Sequence, residues 1–107
     1  MPEYNKLVRD RIPEIISENG KTYEAITLSD EAFKIELRRK LLEEVNEYLE
    51  VSSNEEAISE LGDVVEVICA LAGVHGKGYE DIEVAREEKE KERGGFSNKV
   101  FLKTVDE

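Results

Sequence analysis

The chain has 107 residues, with 15 Lys plus Arg against 26 Asp plus Glu, one His and one Cys. One domain of this size buries only about two-thirds of its unfolded surface, so a deep site would borrow walls from a second subunit. The net charge of −11 argues against binding a nucleic acid polymer or an anionic membrane, and the single Cys excludes an internal disulfide and a Cys-based zinc site within one chain.

No apolar run is long enough to span a membrane. The opening Met1-Pro2-Glu3-Tyr4 is polar and carries no signal-like stretch, so a cytoplasmic protein is expected. Charged residues make up 38% of the chain, yet the apolar ones fall in periodic blocks, which indicates a folded domain. The first segment, Tyr4 to Ile16, leads into a short helix with Pro13 in its first turn and Asn19-Gly20 at its end. Lys21 to Leu28 alternates β-branched and aromatic residues and is expected to form a short strand. Ser29 then caps a second helix, over about Asp30 to Val51, whose inner face carries Phe33, Leu37, Leu41, Val45 and Tyr48.

Ser53 with Glu56 has capping-box spacing for a third helix, over about Asn54 to His75. Its second half, from Val64 to Val74, is apolar nearly all round and must be covered all round. A chain this short cannot easily do that alone, so the helix is expected at the centre of a dimer or of a larger assembly. Gly76-Lys77-Gly78 stops it, and a charged fourth helix runs from about Tyr79 to Arg93, ended by Gly94-Gly95. The tail Phe96 to Val105 is expected to pair with the earlier strand as a minor hairpin from residues near 22–28 and 99–105. The fold class is therefore an all-α antiparallel bundle, one domain over 1–107, completed by oligomerisation.

Carboxylates carry the chemistry. The second helix holds Glu43-Glu44-Val45-Asn46-Glu47 and the third holds Glu60-Leu61-Gly62-Asp63. At roughly 100° per residue, Glu44 falls between Phe33 and Leu37 on the apolar face, with Glu47 at its edge. Glu60 falls between Leu71 and Val67, with Asp63 at the margin. Glu43 points away from the apolar face. Four carboxylates thus converge between two packed helices, and the stretch from Val51 to His75 has five acidic residues and no Lys or Arg to balance them. A divalent cation meets that need, and an all-oxygen donor set favours Mg²⁺, with Mn²⁺ as a substitute, over Zn²⁺. The alternative is a solvated acidic face, common on helices.

The paired motif E-E-x-x-E, followed after twelve residues by E-x-x-D, resembles the MazG-like all-α nucleoside triphosphate pyrophosphohydrolases. The opening Lys6-Leu7-Val8-Arg9-Asp10-Arg11-Ile12-Pro13 is similar to that of a small branch labelled phosphoribosyl-ATP pyrophosphohydrolase-like. The resemblance implies a helical dimer or tetramer whose acidic motif holds Mg²⁺ on a nucleotide triphosphate, which water cleaves to monophosphate and pyrophosphate. By position, the implied ligands are Glu44, Glu47, Glu60 and Asp63, the same set that the helical wheel selects. One of Glu44, Glu47 or Glu60 would act as the general base, and Glu43 would support from further out.

Candidate phosphate-binding cations are Lys6, Arg9, Arg11, Arg93 and Lys99. For Arg9 and Arg11 the alternative is a surface salt bridge with Asp10 or Glu14. His75 reads as a helix C-terminal residue and Cys69 as a small buried hydrophobe. Two other functions stay open: phosphoribosyl-ATP hydrolysis in histidine biosynthesis, and a non-catalytic helical binding module.

Overall fold

The structure is a computed structural model that describes residues 4–106, so Met1 to Glu3 of the polar opening lie outside it. Four helices follow in order: α1 (Ile12–Glu18), α2 (Asp30–Leu49), α3 (Asn54–Val74) and α4 (Tyr79–Arg93). Each boundary has a local cause. Pro13 sits in the first turn of α1, and Gly20 beyond its end has φ +75°, a conformation that favours glycine. The Ser29 hydroxyl accepts from the Ala32 amide at 3.2 Å and starts α2. The Ser53 hydroxyl accepts from the Glu56 amide at 3.1 Å and starts α3, while the Glu56 carboxylate accepts from the Ser52 amide at 3.2 Å. The reciprocal box is thus closed one residue earlier than the spacing implies. The Asp81 carboxylate accepts from the Gly78 amide at 2.9 Å at the start of α4.

The short connection between α2 and α3 folds them into a helical hairpin, and this is the main packing of the molecule. α4 packs on α3 alone, and α1 packs on none of the other three. The core is correspondingly small: among the described residues only Leu37, Val67 and Ala72 are buried apolar side chains, and Glu44 is buried beside them. Phe33 and Leu41 are partly covered, but Val45 and Tyr48 are exposed. The inner line of α2 therefore continues from Leu41 to Glu44, not to Val45.

The expected hairpin of strands near 22–28 and 99–105 does not form: no strand occurs among the described residues. Both segments are almost wholly exposed, and neither finds a neighbour with unpaired backbone to complete it.

The dimensions are those of an open, extended arrangement. The radius of gyration is 18.4 Å, against about 13 Å for a compact domain of this length. The accessible surface is 9815 Å², against about 6,100 Å² for a compact monomer of 12.2 kDa. Ile35, Leu42 and Leu49 form an exposed line along α2, and Ile58, Leu61 and Val65 form another along α3. The apolar third helix is thus left partly uncovered by its own chain.

Candidate metal centre

On α2, Leu37 and Leu41 are followed at helical spacing by Glu44, so the packing that buries Leu37 carries a carboxylate inward one turn later. On α3, Glu60 and Asp63 precede the buried Val67 on the same face and are both partly covered. The hairpin brings these residues together. One carboxylate oxygen each from Glu44, Glu60 and Asp63 lie within 4.8 Å of one another, and so do oxygens from Glu43, Glu44 and Glu47. Glu44 belongs to both groups.

Glu44 is only 6% exposed, and its Oε2 is buried without a hydrogen-bond partner, as is Oε1 of Glu60. A buried carboxylate oxygen left unpaired is costly and needs an explanation. Proximity decides the protonation. The proton-sharing contact with Glu44, with burial and the charges of Glu44 and Glu47, pushes the Glu60 carboxyl up to about 8. Burial alone would raise Glu44, but the contact with Glu60, the Lys40 ammonium and the contact with Glu47 outweigh it and hold Glu44 below the usual carboxylate range. Two acids this close oppose ionising together.

Cations reach the cluster from two directions. Lys40, one turn before Glu44, places its ammonium 3.5 Å from both Glu43 and Glu44. The segment preceding α1 brings Lys6 to 3.6 Å from Glu43 and the Arg9 guanidinium to 2.7 Å from Asp63. Lys6, Arg39 and Lys40 also line a cleft of about 150 Å³ beside Glu43. That volume is below the roughly 300 Å³ at which small-molecule pockets begin.

The structure thus groups Glu44, Glu60 and Asp63, and places Glu47 in a second group that shares Glu44. It adds Glu43, whose long side chain reaches the group although its Cβ points elsewhere. Lys40 escaped the sequence reading; its four-residue spacing to Glu44 was the available signal. Of the expected phosphate-binding cations, Lys6 and Arg9 stand at the cluster. Arg9 pairs with Asp63 and not with the neighbouring acids considered for it. Arg11 instead pairs with Glu14 at 3.1 Å, the surface alternative. Arg93 closes α4 and Lys99 lies beyond it, and neither makes an ion pair with any of the carboxylates. His75 caps the C-terminus of α3, and Cys69 is half-buried.

Compared with family models, curated proteins and solved structures, the chain matches none. No helix among the described residues is long and apolar enough to cross a membrane.

Proposed function

We propose that this chain is a Mg²⁺-dependent nucleotide pyrophosphohydrolase, cleaving a standard or modified nucleoside triphosphate to monophosphate and pyrophosphate. The observation that carries the reading is the unpartnered, buried Oε2 of Glu44 amid the carboxylates of Glu60, Asp63, Glu43 and Glu47. Donors that are all oxygen suit Mg²⁺ or Mn²⁺, and both triads supply only oxygen. Glu44, Glu47, Glu60 and Asp63 would hold the ion. When bound, Mg²⁺ offsets the charge repulsion between carboxylates and phosphates, polarises the phosphoryl group and acidifies a bound water.

The chain's own residues do the rest. Glu44, Glu47 or Glu60 takes the proton of the attacking water, and Glu47 is the exposed member that water reaches. Lys6, Arg9 and Lys40 stand beside the carboxylates, where phosphate oxygens need cationic donors. The leftover walls come from a second copy. An accessible surface well above that of a compact monomer and a cleft too small for a nucleotide both support a homodimer or homotetramer. The cytoplasm, where nucleotides are plentiful, is the proposed location.

The test is pyrophosphate release from a panel of nucleoside triphosphates and phosphoribosyl-ATP, with and without Mg²⁺. The reading expects Mg²⁺-dependent release that Glu44→Ala and Glu60→Ala abolish while the protein stays folded. Preference for phosphoribosyl-ATP would move the enzyme to histidine biosynthesis. No release by a folded oligomer that also binds no divalent cation would leave a helical binding module.

A further inference from the structure

Beyond α4 the chain changes character. Gly94 has φ +82°, and from there to Asp106 the backbone has no helix or strand. Past the Gly94 amide, which donates to the Glu90 carbonyl at 2.7 Å, the segment's one backbone hydrogen bond among the described residues is a turn from the Lys99 amide to the Phe96 carbonyl at 3.1 Å. The segment nevertheless carries Phe96, Val100, Phe101, Leu102 and Val105, which are 72–97% exposed. From Gly94 to Val105 it holds Lys99 and Lys103 and no acid, in a chain whose net charge is −11. Five large apolar side chains standing in water on a basic ribbon lack the covering surface that their chemistry requires.

A matching surface lies on the same molecule. Ile58, Leu61 and Val65 recur at three- and four-residue spacing along the outward face of α3, within about 60° of arc, and all are exposed. Glu55 and Glu66 edge that line along one side and are exposed too, and α3 contains no Lys or Arg. An apolar line edged with acid is complementary to an apolar ribbon edged with lysine. In the structure the ribbon does not lie on its own helices: Phe96 to Val105 are all exposed.

We infer that residues 96–105 are an exchange arm that docks across the Ile58–Leu61–Val65 face of α3 in a second copy of this chain. Because ribbon and face belong to the same sequence, two copies related by a two-fold axis satisfy both pairs at once. Lys99 then serves assembly and not phosphate binding. The inference does not depend on the proposed hydrolase activity.

A charge exchange in the full chain tests it. One variant carries Lys99→Glu and Lys103→Glu, the other Glu55→Lys and Glu66→Lys; all four positions are exposed, so folding is not at stake. Each variant alone faces like charge with like and should self-associate at least about tenfold more weakly by sedimentation velocity, a cost of about 1.4 kcal/mol. An equimolar mixture restores both pairings and should recover the wild-type constant within about threefold. An arm clamped onto its own chain would not be rescued by mixing, which would overturn the inference. So would a monomeric wild type, or variants that associate as the wild type does. Weakening without rescue would overturn the choice of α3 as the receiving face.

Discussion

The Arg9 guanidinium lies 2.7 Å from the Asp63 carboxylate, across fifty-four positions of sequence, and so ties the segment before α1 to the acidic cluster on α3. A divalent cation held by Asp63 would compete with Arg9 for that carboxylate. The pair is exposed, so it is worth at most about 1 kcal/mol. Arg9→Gln should therefore tighten Mn²⁺ binding, by up to about fivefold, as read by electron paramagnetic resonance titration. Under the proposed function the same change should raise the KM for a nucleoside triphosphate, because the freed guanidinium is a phosphate donor. Unchanged Mn²⁺ affinity would show that Asp63 does not share its oxygen with the ion.

Glu44 is buried with one unpartnered oxygen, yet its contacts with Glu60 and Lys40 favour its ionised form in the folded chain. Glu44→Gln removes one charge from the cluster and keeps the side-chain volume. Without divalent cations this variant loses the pairing with the Lys40 ammonium and should melt no higher than the wild type. Under the proposed function added Mg²⁺ should stabilise the wild type, and this variant should lose that gain. Calorimetry with chelator and with Mg²⁺ checks both halves, and a higher melting temperature in chelator would show that burial outweighs the pairing.

Glu60 gives the cluster a pH dependence of definite sign. Its carboxyl is pushed up to about 8 in the folded chain, from an ordinary value of 4.5. Between those values the folded state holds a proton that the unfolded state has released. In cation-free buffer this group's contribution is fully present below pH 4.5 and is lost as the pH rises through about 8. Denaturant midpoints in chelator should fall over that window, and Glu60→Gln should flatten the fall. Mg²⁺ binding at pH 7 should expel a proton, detectable as a buffer-dependent heat in calorimetric titration.

Ser53 accepts from the Glu56 amide at 3.1 Å and fixes the start of the helix that carries Glu60 and Asp63. Ser53→Ala should cost about 1 kcal/mol, lowering the melting temperature by about 4–8 °C. Helical content at 20 °C by circular dichroism should hardly change, because packing against α2 supports the rest of α3.

The helices were legible in the sequence because their signals are local. Ser29, Ser53 and the Gly76–Gly78 stretch mark ends through hydrogen bonds or backbone geometry within a few residues, and a period near 3.6 marks the buried stripe. The carboxylate constellation was legible for the same reason: spacing alone puts Glu44 and Glu60 on apolar faces. The strands were not, because alternation in 22–28 and 99–105 states only a preference, and a strand exists only where another backbone completes its hydrogen bonds. Sequence alone thus determined the helix boundaries, the inward direction of Glu44, Glu60 and Asp63, and the acidity of α3. Only the tertiary structure decided which cations meet those acids, Arg9 from before α1 and Lys40 from α2, and that Glu43 joins them. It alone left the arm beyond Gly94 uncovered. Those outcomes depend on distances between segments far apart in the chain, which no local periodicity encodes.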